Sequence, residues 1–260
     1  MDRIERTGRK MEELFHQGAA GEAGTDGEFM QILQRYIFGE LSYTGSLDDR
    51  MRELVTITVL TAIQALPQLR AHLGACLNVG CTPVELREAI YQCAPFIGFP
   101  RTLNAIGVLN EVLAAQGVDL PLPKQGAAAE DERYQKGLDL QGPAYAAEVR
   151  QRCARLPKPF DEAVPRFFTE HCFGDFATRA GLDQKRRALL CVIVLASLGG
   201  APEQLRRHVE GTLRAGGTRE EVVCALVHAS AYMGSPRLFD ALDACKDLLE
   251  ETGGADAART

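Results

Sequence analysis

The feature that most constrains this chain is a tandem duplication that covers most of its 260 residues. The segment LDDRMRELVTITVLTAI, which begins at Leu47, has a counterpart in LDQKRRALLCVIVLASL. Three further pairs follow in the same order: QLRAHLGACLNVG and QLRRHVEGTLRAGG, TPVELREAI and TREEVVCAL, and FIGFPRTLNA and YMGSPRLFDA. Asp48 and Asp183 are 135 residues apart, and His72 and His208 are 136 residues apart. Such a repeat indicates two copies of one folding unit.

The repeated segments predict an all-α fold made of two tandem helical domains in one chain. Residues 47–65 are rich in Val, Ile and Thr, which also suit a strand, but the long run without a turn signal favours a helix. After Leu54, apolar residues cover almost the whole circumference of this helix. We therefore expect it to be buried at the centre of its domain.

A polar segment rich in Pro, Gly and Ala separates the two copies. It reads GVDLPLPKQGAAAEDE and covers residues 117–132, where we place a linker. We therefore expect a first domain at residues 1–116 and a second at residues 133–253. Residues 254–260 are expected to be a disordered tail.

Both copies carry sequence signals for the start of a helix. Thr82 and Glu85 have the spacing of a capping box, in which each side chain bonds the backbone of the other residue. Thr218 and Glu221 repeat this pattern in the second copy. Ser235 is the expected N-cap of the last long helix.

Charge and hydropathy exclude several classes of function. The formal net charge is −6, and no block of Lys and Arg accompanies an aromatic surface, so we expect no nucleic-acid partner. No apolar run reaches the roughly 18 residues that a membrane span needs, and the charged N-terminus lacks the apolar core of a signal peptide. We therefore expect a cytoplasmic protein with no membrane partner.

The eight cysteines form no C-x-x-C pair and no spacing typical of metal ligands. We therefore expect no metal site. Several of these cysteines lie in apolar runs, where a cysteine usually serves as a small buried hydrophobic residue.

Two histidines at equivalent positions are the main candidates for chemistry. His72 shares a helical face with Leu69, Leu73 and Cys76, so it points inward or into a cleft. Taken alone, such a histidine is more often a core residue than a catalyst. The second copy keeps it as His208 although most positions have diverged, which favours a function, but core packing could also explain both histidines.

Glu53 lies near the start of the most apolar helix of the first copy. A carboxylate there is costly unless it is solvated, caps the helix or has a partner. It could be an N-terminal acid that interacts with the helix dipole, or an acid/base group in a buried site. The second copy has Ala188 at this position, so a Glu–His pair is complete only in the first copy.

A basic cluster near these residues could bind an anionic substrate. Its members are Arg50, Arg52 and Arg70, matched in the second copy by Lys185, Arg187 and Arg206. Arginines near a helix start more often lie in solvent or pair with neighbouring acids, here Asp48 and Asp49. The sequence leaves the roles of His171 and His228 open.

The segments LDDRMRELVTITVL, QLRAHLGACLNVGCTPVELREAI and FIGFPRTLNA, with their second-copy versions, resemble the carboxymuconolactone decarboxylase family, which includes the alkylhydroperoxidase D-like proteins. The resemblance extends over nearly the whole chain, twice. It implies an all-helical fold whose copies associate through these helices, commonly as hexamers of single domains. A chain with two copies would then form a homo-oligomer, with a trimer favoured.

The peroxidase branch of that family carries Glu, eleven residues, C-x-x-C, three residues and His. Glu53 and His72 have the matching separation, but Ala65 and Gln68 stand at the two cysteine positions. Without a thiolate nucleophile and its resolving partner, thiol peroxidase chemistry cannot proceed. The resemblance therefore favours the decarboxylase branch, whose members need no cofactor.

This resemblance implies a carboxy-lyase that acts on a small lactone or cyclic carboxylic acid, as in the degradation of aromatic compounds. His72 would deliver a proton to carbon, and Glu53 would orient the imidazole. The substrate carboxylate would be held by Arg50, Arg52 or Arg70. The second copy lacks the acid, so its site would be inactive or altered. The alternatives are a non-catalytic small-molecule-binding or scaffold protein of this family and, less favoured, a thiol peroxidase.

Overall fold

The computed structural model describes residues 1–18 and 25–250, and within these ranges the chain is helical without a β-strand. The helices of the first copy are α1 (Arg3–Phe15), α2 (Gly27–Gly39), α3 (Asp49–Ile63), α4 (Leu66–Asn78), α5 (Pro83–Tyr91), α6 (Ala94–Ile97) and α7 (Phe99–Ala115). Those of the second copy are α8 (Arg133–Gln141), α9 (Pro143–Cys153), α10 (Phe160–Phe168), α11 (Gln184–Leu198), α12 (Pro202–Arg214), α13 (Arg219–Met233), α14 (Ser235–Ala244) and α15 (Lys246–Leu249). A 3-10 turn (Leu41–Tyr43) follows α2, and a π-helix (Thr169–Ala177) follows α10. The predicted all-α fold is confirmed.

The capping boxes form as the sequence predicts. The hydroxyl of Thr82 accepts a hydrogen bond from the backbone N–H of Glu85 at 3.2 Å, and the Glu85 carboxylate accepts one from the N–H of Thr82 at 2.8 Å. The second copy repeats both bonds at the start of α13. The prediction for Ser235 was wrong, because Gly234 is the N-cap of α14 and Ser235 is the first helical residue. Gly234 has a φ of +88°, which glycine adopts readily and serine does not.

The two most apolar helices, α3 and α11, form the centre of the molecule. Every residue of α3 from Met51 to Ala62 is buried, as is every residue of α11 from Leu189 to Ser197. Helix α3 packs against α4 and α5 of its own copy and against α11 and α13 of the other. One cluster of buried apolar side chains therefore contains residues of both copies. The two halves share a single core.

The outer helices differ between the copies. In the first copy, α1 packs on α2 and α4. Gly39 of α2 lies so close to α1 that a Cβ there would come within 2.6 Å of the carbonyl oxygen of Arg3. In the second copy, α8 packs equally closely on the π-helix through Gly137 and Gly174, and an additional helix, α9, follows it. The second copy has a cavity beside His208, whereas in the first copy Phe15 of α1 packs on the ring of His72.

The segment between the copies runs without a helix from the end of α7 to the start of α8. Arg87 of α5 holds it by donating hydrogen bonds to the carbonyls of Leu122 and Pro123. The domain limits at residues 116 and 133 stay predictions, and the tail expected at residues 254–260 lies outside the described residues. In the part of the chain that the structure describes, none of the helices has the length and apolarity needed to cross a bilayer.

Candidate active site

The candidate site of the first copy centres on His72 and Glu53. Glu53 lies near the start of α3 and His72 in the middle of α4, two helices that pack against each other. Nδ1 of His72 is 2.8 Å from Oε2 of Glu53, which is a hydrogen-bonding distance. Glu53 is 2% exposed and His72 is 7% exposed, so little water reaches the pair. The expected hydrogen-bond contact between them is confirmed, and their catalytic role stays a prediction.

Glu53 determines which atom of the imidazole is available for other contacts. Because Nδ1 is engaged with the carboxylate, Nε2 is the remaining polar atom of the ring, and it has no hydrogen-bond partner among the described residues. The rings of Phe15 and Tyr232 meet the imidazole edge to face, with centroid distances of 5.5 and 5.4 Å. An oriented imidazole with one unpaired nitrogen is suited to proton transfer.

Helix α13 of the second copy supplies part of this first-copy site. The Tyr232 hydroxyl is buried and makes no hydrogen bond within the described part of the chain. A neighbouring hydroxyl, that of Thr56, is already engaged by the carbonyl of Arg52 at 3.1 Å and by Nε2 of His228 at 3.0 Å. Burial, and after it the charge of Glu53, raise the pKa of Tyr232, so this residue is a neutral phenol. Burial also lowers the pKa of His228 to about 3, which keeps that imidazole neutral.

The equivalent place in the second copy has different chemistry. The counterparts of Glu53, Thr56, His228 and Tyr232 are Ala188, Cys191, Gln92 and Phe96. Phe96 of the first copy packs edge to face on His208, with the two ring centroids 5.5 Å apart. Tyr232 packs on His72 in the same way. The Gln92 amide donates to Sγ of Cys191 at 3.0 Å. Each copy's histidine thus packs on an aromatic residue of the other copy, the reciprocity that a twofold relation between the halves requires.

His208 has Ala188 at the position that corresponds to Glu53, and it faces a cavity. Burial lowers the pKa of His208 to about 4, so the ring is neutral near pH 7. The cavity that it lines has a volume of about 360 Å³. The first copy therefore holds the Glu–His pair, whereas the second copy holds a histidine with open space in front of it.

The three arginines expected to bind a substrate carboxylate pair with groups other than His72 and Glu53, and their role in substrate binding stays a prediction. Arg50 bonds both carboxylate oxygens of Glu85 at 2.9 Å. Arg52 is 3% exposed and donates to backbone carbonyls of residues 41–47. Arg70 forms an ion pair with Glu111 on the surface.

The second copy repeats these three contacts although it lacks the acid of the pair. They are the ion pairs Lys185–Glu221 and Arg206–Asp247 and the hydrogen bonds from Arg187 to the carbonyls of Arg179 and Ala180. Contacts present in both copies, with and without the Glu–His pair, belong to the helical scaffold.

The other candidates lie apart from His72 or serve the core. His171 is on the π-helix, where Nδ1 is 3.6 Å from Oδ2 of Asp175 and the ring packs on Phe99. All cysteines are buried except Cys172, which is half-buried. Burial raises the pKa of Cys172 to about 11 and that of Cys191 to about 12, so thiolate is scarce at both. Within residues 1–18 and 25–250, no group of three His, Cys, Asp or Glu side chains is placed to hold a metal ion.

Sequence reasoning did not identify Tyr232, Thr56 or Phe15 as parts of the site. Tyr232 and Thr56 did carry a usable signal, because each is polar where the other copy has Phe96 or Cys191. Glu53 shows the same pattern, because the second copy has Ala188 at its position. A search for positions that are polar in one copy and apolar in the other would therefore have selected all three residues. Phe15 lies outside the repeated segments and carried no such signal.

Comparison with known proteins connects this site to a family. The sequence profile of the carboxymuconolactone decarboxylase family matches residues 27–111 and again residues 162–247. The 4-carboxymuconolactone decarboxylase of Acinetobacter baylyi is 36% identical over 91 residues, which are 35% of this chain and 68% of that protein. The nitrosuccinic acid decarboxylase of Metarhizium robertsii is 28% identical over 109 residues, which are 42% of this chain and 76% of that protein.

A solved structure has the same fold over nearly the whole chain. It is described as a γ-carboxymuconolactone decarboxylase subunit from Burkholderia xenovorans, and the match covers 96% of this chain and 99% of that one. The TM-score is 0.53 and the sequence identity is 20%, a likeness that shows the fold alone. The two profile matches cover most of the chain, and each contains one histidine of the repeated pair. The chain therefore belongs to the carboxymuconolactone decarboxylase family and carries its domain twice.

Proposed function

We propose that this protein is a cofactor-independent decarboxylase that acts on a small lactone or cyclic carboxylic acid at the His72–Glu53 site. The observation that carries the proposal is the 2.8 Å hydrogen bond between Nδ1 of His72 and Oε2 of Glu53. It supports proton transfer because it orients the imidazole and leaves Nε2 as the atom that can act on a substrate. Two relatives named as decarboxylases support the reaction class.

Decarboxylation requires a proton donor and a group that stabilises developing negative charge. When the carbon–carboxylate bond breaks, carbon dioxide leaves and the electron pair stays on the substrate, delocalised toward the lactone carbonyl oxygen. Nε2 of protonated His72 then gives its proton to the carbon that lost the carboxylate, and the imidazole recovers a proton from solvent. The overall reaction replaces the carboxylate group by a proton and releases carbon dioxide, so it needs no electron acceptor and no second substrate.

Tyr232 is suited to stabilise the developing oxyanion. Its ring contacts His72, its phenol is neutral, and its buried hydroxyl is unpaired among the described residues. A donor held in a site with little water acts on a developing charge more strongly than the same donor in solution. Arg52 is less suited, because backbone carbonyls already occupy its guanidinium group.

Substrate access requires the site to open. The His72 ring is nearly buried, with Phe15 on one side and Tyr232 on the other. Phe15 is the last residue of α1, a helix that precedes the first profile match at residue 27. We infer that displacement of α1 admits the substrate and that its return excludes water during the reaction.

A screen of small lactones and cyclic carboxylic acids, with detection of released carbon dioxide, tests the reaction class. With an active substrate, His72→Ala should lower kcat by about 10²- to 10⁴-fold, the range typical of a general acid–base residue. His208→Ala is the matched control in the second copy and should leave kcat nearly unchanged. Activity lost in His208→Ala and kept in His72→Ala would place the reaction in the other half.

A non-catalytic binding protein of the same fold is the second candidate. The observation that favours it is the burial of His72 between two aromatic rings, which leaves the imidazole 7% exposed. This candidate predicts that some acids of the screen bind while none releases carbon dioxide above the rate in buffer. Any turnover that depends on His72 excludes it.

A further inference from the structure

A cavity in the second half is separate from the His72 site. It lies between α9, the π-helix, α11 and α12, and residues of α6 from the first copy complete its wall. Its volume of about 360 Å³ lies in the range of small-molecule sites, which is about 300 to 1,000 Å³. A cavity of this size accommodates one ring system with a few substituents.

The wall of this cavity is mostly apolar. Its large apolar members are Phe96, Val149, Phe168, Phe173 and Leu195. Arg152 also reaches the wall, but this side chain is largely exposed and pairs with Glu203 at 3.4 Å. The charged group therefore lies at the rim, where water screens it. The interior favours an uncharged, largely apolar molecule.

His208 faces this mostly apolar interior, and Gln92, Tyr145 and Gln204 are further polar residues of the wall. The Gln92 amide is already engaged by Cys191 and Arg187. The His208 side chain has no hydrogen-bond partner among the described residues, and the counterpart of Glu53 beside it is Ala188. The pKa of His208 is lowered to about 4 by burial, so near pH 7 the ring offers one N–H donor and one acceptor nitrogen. A ligand hydroxyl can bond either nitrogen, whereas a ligand carbonyl oxygen can only accept a hydrogen bond from the N–H.

The backbone beside the cavity is also unusual. The π-helix at Thr169–Ala177 contributes Cys172, Phe173 and Ala177 to the wall. π-Helical segments are rare and often lie at functional sites. The corresponding part of the first copy is the end of α2 and a 3-10 turn. The second copy therefore has a different backbone beside this cavity.

We propose that this cavity binds a small uncharged molecule that has an aromatic or alicyclic body and one hydroxyl or carbonyl group, with His208 as its hydrogen-bond partner. The site is a binding site without catalysis, since Ala188 leaves the imidazole without an orienting acid. The proposal does not depend on the reaction assigned to the first copy, because the two sites use different residues.

Titration calorimetry with 2-naphthol and 2-naphthoate tests the chemical class of the ligand. The two probes share one ring system, and only the second is an anion near pH 7. We expect 2-naphthol to bind at least about tenfold more tightly, a difference of about 1.4 kcal/mol. Tighter binding of 2-naphthoate, or no binding of 2-naphthol at millimolar concentration, would overturn the proposal.

Two substitutions locate the probe. Ala177→Phe places a ring in the cavity and should abolish binding of 2-naphthol, with circular dichroism and thermal melting used to verify the fold. His208→Leu should weaken binding about tenfold by removing the hydrogen bond. His72→Ala is the control and should leave binding unchanged. If binding persists in Ala177→Phe or is lost in His72→Ala, the probe occupies another site and the proposal is wrong.

A measurement on the wild-type protein tests the proposal even if one of these variants does not fold. Cys172 is half-buried in the cavity wall, whereas Cys224 is buried elsewhere. Saturating 2-naphthol should slow alkylation of Cys172 by N-ethylmaleimide several-fold and leave the rate at Cys224 unchanged, as measured by peptide mass spectrometry. An unchanged rate at Cys172 would contradict the proposal.

Discussion

The Tyr232 hydroxyl is the side-chain group whose surroundings point most directly to a ligand. It is buried and unpaired within the described residues, and its ring contacts His72. A buried hydroxyl without a partner costs about 1 to 3 kcal/mol of stability. A role in substrate binding would explain why the first site has a tyrosine where the second has Phe96.

Tyr232→Phe separates this role from a structural one. Because the variant removes an unpaired polar atom and loses no hydrogen bond, its melting temperature should be equal to or higher than that of the wild type. Its kcat should fall by about 10²- to 10³-fold, as when one oxyanion donor is removed. The measurements are thermal melting and carbon dioxide release. An unchanged kcat would show that the hydroxyl does not act on the substrate.

His228 links stability to pH. Burial, and after it the positive charge of Arg52, lower the pKa of His228 from 6.5 to about 3. As pH falls below about 6.5, the unfolded chain binds a proton that the folded protein excludes. The stabilisation is therefore complete above about pH 6.5 and decreases by up to about 1.4 kcal/mol per pH unit as pH falls toward the folded pKa.

His228→Gln should flatten this dependence. Glutamine is the residue that the first copy has at the equivalent position, as Gln92, so the side chain suits the fold. Urea unfolding near pH 7 and near pH 5 should show a smaller loss of free energy in the variant than in the wild type. A weaker dependence should remain, because the pKa of His208 is also lowered. Equal losses in both proteins would contradict the assignment.

Helix α1, at the N-terminal end of the described chain, contacts both α2 and the His72 site. It packs on α2 where Gly39 lies, and a Cβ at this glycine would come within 2.6 Å of the Arg3 carbonyl oxygen and of Oγ1 of Thr7. Its last residue, Phe15, covers one side of the His72 ring. The packing of α1 on α2 therefore controls how much of His72 is accessible.

Gly39→Ala should push α1 away from α2. We expect a destabilisation of about 1 to 3 kcal/mol, as for other overpacked contacts, and faster modification of His72 by diethyl pyrocarbonate. Gly8→Ala is the matched control on α1, because a Cβ there would meet no atom of the described residues within 4 Å apart from the backbone of its own helix. It should stabilise the helix by about 0.5 to 1 kcal/mol. Equal melting temperatures for both variants would show that the close contact is not required.

Exposed apolar residues recur at equivalent positions of both halves. Ile32 of α2 and Phe167 of α10 are 58% and 54% exposed, and Leu103 of α7 and Phe239 of α14 are 64% and 61% exposed. Large exposed apolar side chains in repeated positions are typical of protein interfaces. A symmetric ring of chains would cover both sets at once.

We therefore predict a homo-oligomer, with a trimer favoured because three chains supply six copies of the domain. Size-exclusion chromatography with light scattering measures the mass. Leu103→Glu combined with Phe239→Glu should shift the protein toward the monomer without changing its helical circular dichroism signal. A monomeric wild type at micromolar concentration would refute the assembly.

The sequence by itself was sufficient to predict the all-α fold, the repeat and the burial of α3. These depend on local properties, because helical periodicity and capping residues act within a few positions of each other. The contact between Glu53 and His72 was also predicted, from a spacing that resembles a family pattern. Ser235 shows the limit, since the backbone conformation of Gly234 decided where that helix begins.

Only the tertiary structure decided which side chains surround the two histidines. Tyr232 and His228 reach the first site from the other copy, and Phe96 reaches the second site in the same way. Likewise, only the structure shows that Arg50 pairs with Glu85 of α5. From the sequence, an apolar helix face indicates that the helix packs against another element. It does not indicate which element, because that depends on how the two halves pack together. The cavity in front of His208 follows from the same docking, since helices of both copies enclose it.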